Sequence, residues 1–207
     1  APARRLPRFA RRTFRGWFRG REAERARGDA ATGGGGRRVI VWPDTFNDAF
    51  HPEVGRATVE VLEAAGFEPV LPAATLCCGR PLYDFGMVRL AKRQLRRILD
   101  ALRDDIRAGT PVVGMEPGCV ATFRDELVNL FPDDDDARRL AGQTFLLTEF
   151  LARHAPDADL GSLAGRRALL HGHCHHKAIL DFGAERALLD RLGLHVDVPD
   201  IGCCGMA

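Results

Sequence analysis

The chain has 207 residues, 45% of them hydrophobic and 7% aromatic, and its 30 Lys+Arg against 28 Asp+Glu give a formal net charge of +2. A chain of this length buries roughly 70% of the surface that its unfolded form exposes, enough for one sizeable core or two small ones. No stretch approaches the apolar run of about 18 residues that a membrane span needs, and arginines from Arg4 to Arg19 break up any apolar signal segment at the start. The six cysteines are too few for a disulfide scaffold and too clustered to be scattered core residues. A reduced, cytoplasmic compartment and a metal or redox role fit them better.

The near-neutral total hides a division. Residues 1 to 38 hold twelve Arg against Glu22, Glu24 and Asp29, a charge of +9 that leaves −7 on the remainder. Between Arg4 and Phe18 arginines alternate with aromatics, a pattern that can bind phosphate backbones or anionic lipid. Nothing else in the chain supports a nucleic-acid partner, so the plainer reading is a short helix or arm docked on a neighbouring domain. Thr32 and Gly33 to Gly36 follow as a linker, which gives residues 1–36 as basic arm and linker and starts the folded unit near Arg37.

From Arg37 the pattern alternates between strand and helix. Val39-Ile40-Val41-Trp42, ended by Pro43, reads as a buried strand. Pro52-Glu53 opens a helix with Val54, Ala57, Val61, Leu62 and Ala65 facing inward, closed by Gly66 as a left-handed cap. Val70-Leu71 is a second strand, and Val88 to Leu102 mark a long helix ending at Gly109. Pro111 to Met115 is a third strand, and Phe123, Leu127 and Val128 continue as helix, with one more helix from Phe145 to Phe150. The acidic run Asp133 to Asp136 lacks the spaced ligands and glycine of a calcium loop and reads as a solvated helix start. This is the rhythm of an α/β fold with a parallel sheet covered by helices.

The pattern then begins again. Arg166 to Leu170 parallels Arg37 to Val41 at an offset of 129, Leu192-Gly193-Leu194 parallels Ala65-Gly66-Phe67 at 127, and Cys203-Cys204-Gly205 repeats Cys77-Cys78-Gly79 at 126. Three landmarks in the same order predict two tandem, pseudo-repeated Rossmann-like modules, residues 37–160 and 161–207. A counterpart of Cys119 would fall near 245, so the second module is expected to be truncated.

Each copy carries its Cys-Cys-Gly just after the second strand. Cys119 ends the third strand of the first copy, with 40 residues between it and Cys78, and Cys174 ends the first strand of the second copy, with 28 residues between it and Cys203. Open α/β sheets build their sites at these strand ends, so the topology brings sulfurs together. Thiolates suit iron–sulfur clusters or zinc. Cys119, after Pro117-Gly118, should open a helix whose free N–H groups lower its thiol pKa. In His171-Gly172-His173-Cys174-His175-His176-Lys177, strand alternation puts His171 and His173 on one side. One of these histidines serves as a ligand or outer donor with Lys177 as a countercharge, while His171 and His176 cap the next helix or face solvent.

These residues match a family. Two tandem Cys-Cys-Gly modules resemble the cysteine-rich domain found in heterodisulfide reductases, glycolate oxidase iron–sulfur proteins, anaerobic glycerol-3-phosphate dehydrogenases and lactate-utilisation proteins. Trp42 to Phe46, His51 to Gly55, Leu76 to Pro81, His173 to Ala178 and Gly202 to Ala207 are similar to the C-terminal part of FAD-linked 2-hydroxyacid dehydrogenases of the D-lactate (cytochrome) type. The complete module has a cysteine after its first strand and a Cys-x-x-Cys after its third. Here Asp44 or Thr45 holds the first place and Glu116 replaces the first cysteine of the pair.

The resemblance implies metal ligands at Cys77, Cys78 and Cys119 in the first module, completed by a carboxylate or left poor, and at Cys174, Cys203 and Cys204 in the second. It implies a [4Fe–4S] cluster or zinc, and electron transfer in an FAD-dependent D-2-hydroxyacid dehydrogenase. The FAD and ferredoxin-like domains are expected to precede Ala1, with a quinone, a cytochrome or another protein as acceptor. The place implied is cytoplasmic, or peripheral at the inner face of the cell membrane. A structural zinc module and a heterodisulfide-reductase-like module are the alternatives. No residue here is a credible hydride acceptor or substrate base.

Overall fold

A computed structural model describes residues 7–27, 36–180, 182–199 and 202. The strands β1 (Arg37–Trp42), β2 (Phe67–Val70), β3 (Val112–Gly114) and β4 (Thr144–Leu146) form one all-parallel sheet in the order β2-β1-β3-β4. Around it run α1 (Phe14–Arg27), α2 (Thr45–Ala49), α3 (Pro52–Ala64), α4 (Arg80–Asp84), α5 (Val88–Ala101) and α6 (Arg103–Arg107). Helix α7 (Pro117–Ala121) continues through a π-helical turn, Thr122–Glu126, into α8 (Leu127–Leu130), and α9 (Asp135–Gly142) and α10 (Leu147–His154) follow. Among the described residues no helix is long and apolar enough to cross a membrane.

The central strand is apolar on both faces, and its alternation fixes the layers. Val39 and Val41 join Phe14 and Phe18 of α1, Val59 and Leu62 of α3, and Phe150 and Leu151 of α10 in one core. Ile40 and Trp42 face the opposite way, into Leu95, Ile98 and Leu99 of α5, Ile106 of α6 and Phe123, Leu127 and Leu140. Parallel strands covered on both sides read as continuous hydrophobic runs, which is why this strand was legible. Each of its four apolar side chains contributes roughly 1.5–3 kcal/mol on burial.

A second parallel pair, β5 (Arg167–Leu169) with β6 (His195–Asp197), has α11 (Cys174–Ala178) and α12 (Phe182–Arg191) between its strands. It repeats the opening of the first sheet. Arg37 pairs with Phe67 and Arg167 with His195, and in both copies a glycine in the left-handed region, Gly66 or Gly193 at φ 83°, turns the chain into the second strand. The first copy is a Rossmann-like α/β fold on a four-stranded parallel sheet, and the second, among the described residues, repeats its opening strand–helix–strand unit. Helix α11 packs on α7 and α12 on α10, and Leu180 closes a small apolar cluster with Val120 and Leu146.

Three sequence expectations change. The segment from Phe145, expected as helix, divides into strand β4 and helix α10, because a short buried run has no period long enough to separate the two. The helix from Val88 stops at Ala101, and a separate helix, α6, ends at Arg107 before the left-handed Gly109. The arginine-rich arm is tied into the core: Phe14 is fully buried in the groove left by Gly55, where an added Cβ would stand 2.5 Å from Phe14 Cγ. Arg15 donates to the backbone oxygen of Ala74 at 3.3 Å. The expected linker at 32–35 lies outside the described residues.

Candidate metal centre

The sheet order places a switch point between β1 and β3, because the chain leaves β1 towards β2 on one side and β3 towards β4 on the other. Open α/β sheets form their crevice outside the carboxyl ends of strands at such a point. Asp44 follows β1, Glu116 to Cys119 follow β3, and Cys77-Cys78-Gly79 ends the loop after β2. Gly79, at φ 80°, makes the left-handed turn from the cysteine pair into α4, a conformation that a side chain would strain.

Cys78 and Cys119, 41 positions apart, are both buried with their sulfurs 3.0 Å from each other. Cys77, the chain neighbour of Cys78, is exposed at the rim. The structure thus brings Cys78 and Cys119 together and leaves Cys77 exposed at the edge. A tetrahedral ion with Zn–S bonds of about 2.3 Å holds its sulfurs about 3.8 Å apart, so Cys78 and Cys119 need to spread by less than about 1 Å to share one.

The two carboxylates that stand where the complete module has cysteines are engaged as helix caps. Asp44 Oδ1 accepts the N–H groups of Phe46 and Asn47 at 2.9 and 3.0 Å, and its Oδ2 accepts Asn47 Nδ2 at 2.7 Å. Glu116 Oε1 accepts the N–H of Gly118 at 2.9 Å and Oε2 that of Cys119 at 2.7 Å. These caps satisfy the orphan donors at the helix starts.

They also reverse an expectation. Cys119 does lie in the first turn of α7, but Glu116 has taken the helix N–H groups that were to stabilise its thiolate. The Cys78 hydrogen bond alone would lower the Cys119 pKa; burial and the charges of Glu116 and Asp44 outweigh it and hold the thiol above its ordinary value. Cys78 is raised by its bond to Cys119 and by burial, and Cys77 by the adjoining Cys78 thiol and by burial. Burial, with a contribution from Glu116, likewise raises Asp44. With both carboxylates spent on caps, the donors left at this crevice are soft sulfurs, Cys78 and Cys119 in contact at 3.0 Å, and these fit a soft metal ion or cluster.

The second copy contributes beside it. Strand β5 stops at Leu169, so residues 170–173 form a loop rather than the expected strand, and His173 caps α11 by accepting the N–H of His175 at 3.3 Å. Donor atoms of His173, Cys174 and His175 all lie within 4.8 Å of one another. His171 is exposed, whereas His176, expected at a cap or in solvent, is buried edge-on against Phe182, the two rings 5.0 Å apart. Cys203 and Cys204 lie outside the described residues.

One arginine joins the two copies. Arg80, directly after Cys-Cys-Gly, pairs with Glu126 of the π-helical turn and with Asp84, and reaches His175 Nε2. A guanidinium only donates, so Nε2 accepts and the ring hydrogen is assigned to Nδ1. Burial first, then the Arg80 charge, hold His175 below the ordinary histidine pKa. Sequence reasoning missed this bridge. Its members are 46 and 95 positions apart, and no local pattern marks them.

The family described as "cysteine-rich domain" matches residues 44–124. Lactate utilization protein A of Bacillus subtilis (strain 168) is 36% identical over 152 residues, which cover 72% of this chain and 62% of that protein. The proteins of the same name from Geobacillus kaustophilus (strain HTA426) and Bacillus cereus (strain G9842) are 36% and 34% identical, over 81% of this chain and 72% of theirs. The chain belongs to the lactate utilization protein A family. Its cysteine-rich domain match takes in Asp44, Cys77, Cys78, Glu116 and Cys119 and ends before Cys174. In this family member the candidate site is the switch-point crevice with the His173–His175 turn at its side. The cysteine-rich family and these donors point to metal or iron–sulfur binding.

Proposed function

We propose that this chain is the iron–sulfur electron-transfer region of an FAD-dependent system that oxidises D-2-hydroxyacids of the lactate or glycolate type. The observation that carries the reading is the meeting of Cys78 and Cys119 at 3.0 Å, with Cys77 beside them, at a topological switch point. The names of the relatives supply the link to lactate. When bound, an iron–sulfur cluster supplies storage and release of single electrons. Cys77, Cys78 and Cys119 would hold it in the first copy, and Cys174, Cys203 and Cys204 contribute in the second.

The remaining residues act on that centre through position and charge. The caps made by Asp44 and Glu116 fix the backbone that aims the sulfurs, and burial of Cys78 and Cys119 excludes water. Cys77 at the rim marks the side open to a donor or an acceptor such as a quinone or a cytochrome. In this reading the chain works beside FAD and ferredoxin-like domains, in the cytoplasm or at the inner membrane face.

A second reading, structural zinc, is favoured by one observation, the mixed nitrogen and sulfur donors of His173, Cys174 and His175. Iron, sulfide and zinc analysis with EPR on anaerobically purified full-length protein separates the two. Iron and sulfide in equal amounts, lost on Cys119→Ser, support the cluster. One zinc per chain without sulfide overturns it.

A further inference from the structure

We infer that the corner between α4 and α5, together with one row of α5, is a docking surface for an acidic electron-carrier protein. The corner begins at Arg80, directly after the cysteine pair, and α4 spans only about 8 Å at 1.5 Å per residue, so the surface adjoins the crevice. Every residue from Tyr83 to Leu90 is exposed, among them Phe85 at 78%, Met87 at 48%, Val88 and Leu90. These side chains are held outward by a built turn. Gly86 at φ 73° donates to the Tyr83 oxygen at 2.9 Å, and the Met87 N–H to that of Leu82 at 2.7 Å. Rigid apolar anchors displayed next to a redox site have the anatomy of an interface core.

The charge on α5 says what meets them. Its outer face carries two basic rows. Lys92 and Arg96 are answered within the chain: both sit over the Phe131 ring, at 5.0 and 4.5 Å, and Arg96 pairs with Asp134 at 2.7 Å. Arg89, Arg93 and Arg97 recur every fourth residue, so they stack as like charges on one face, which destabilises a helix. Among the described residues Arg89 and Arg93 have no acidic partner, and Arg97 donates only to Gln94. Asp84, the acid at the corner, is held by Arg80 at 3.0 Å. An apolar centre with an unanswered cationic flank fits a protein with an apolar spot inside an acidic rim, and the charges would steer its approach.

The inference rests on the electron-transfer reading, but its test measures association and needs no loaded cluster. The full chain is titrated with a plant-type [2Fe–2S] ferredoxin of strongly negative net charge, at 50 and 200 mM salt, with Kd read by fluorescence anisotropy. Expected are saturable one-to-one binding that weakens about tenfold over that salt range, and a further loss of about tenfold in Arg89→Glu/Arg93→Glu. Phe85→Ser/Met87→Ser should weaken binding about as much while leaving the salt dependence intact. Arg11→Glu/Arg12→Glu, on the other basic surface, should leave Kd unchanged, and thermal melts confirm that each variant is folded. No binding, equal binding by all variants, or an equal loss with Arg11→Glu/Arg12→Glu overturns the inference. So does a dimer in sedimentation that Phe85→Ser/Met87→Ser dissolves, or capture by anionic vesicles that depends on Arg89 and Arg93. Absence of iron and sulfide would sink the cluster reading and leave the measured association standing, so the two failures are distinguishable.

Discussion

Glu116 is the residue on which the reading of the first site turns, since it occupies a position where the complete module has a cysteine. Its two oxygens accept the N–H groups of Gly118 and Cys119, and both of those residues are buried, so no water replaces a lost acceptor. Replacing a capping residue by alanine costs about 0.5–2 kcal/mol, and leaving buried donors unpaired puts Glu116→Ala near the top of that range, about 2 kcal/mol. For a chain of this size 1 kcal/mol moves Tm by about 2–4 °C, so Glu116→Ala should lower the Tm of metal-free protein by about 4–8 °C. Glu116→Gln keeps one acceptor and should lose about half as much. Because both oxygens are spent on the backbone, each variant, once refolded, should take up as much metal as the parent. The assay pairs calorimetric melting of the metal-free protein with iron and zinc analysis after reconstitution. A Glu116→Gln protein that melts like the parent yet loses its metal would show that the carboxylate is a ligand and that the capping account is wrong.

Other consequences follow from the same geometry. Phe14→Ala, which empties a fully buried site, should cost about 3–5 kcal/mol in denaturant unfolding, while Phe9→Ala, at a ring 78% exposed, should cost little. Gly55→Ala should destabilise by about 1–3 kcal/mol through its clash with the Phe14 ring, and that cost should vanish in the Phe14→Ala background; an unchanged cost would mean the clash is elsewhere. His154 stacks on Phe150 with ring centroids 4.7 Å apart, and burial, then the charges of Arg153 and Arg37, lower its pKa from 6.5. The native ring stays neutral where the unfolded one binds a proton, so this contribution is complete above about pH 6.5 and is lost as pH falls towards the folded pKa. A His154→Gln protein should show a flatter stability profile between pH 7 and 5, and an identical profile would refute the assignment.

The sequence by itself determined the buried central strand, the Gly66 cap and the duplication with its repeated Cys-Cys-Gly. It also placed Cys77, Cys78, Cys119 and Cys174 in the segments that follow strands, because apolar runs, left-handed glycines and fixed offsets are local signals that survive without contacts. The division of Phe145 to His154 into strand and helix was not legible, since a three-residue strand such as Thr144–Leu146 is defined by its neighbour β3 and not by its own period. Only the tertiary structure decided that Asp44 and Glu116 are caps and that the Cys119 thiol is raised rather than lowered. It alone drew the arginine-rich arm into the core through Phe14 and Gly55 and joined the two copies through Arg80, Glu126 and His175. Each of these depends on which distant groups share a volume from which water is excluded. That is a property of packing, and residue order along the chain does not encode it in any local pattern.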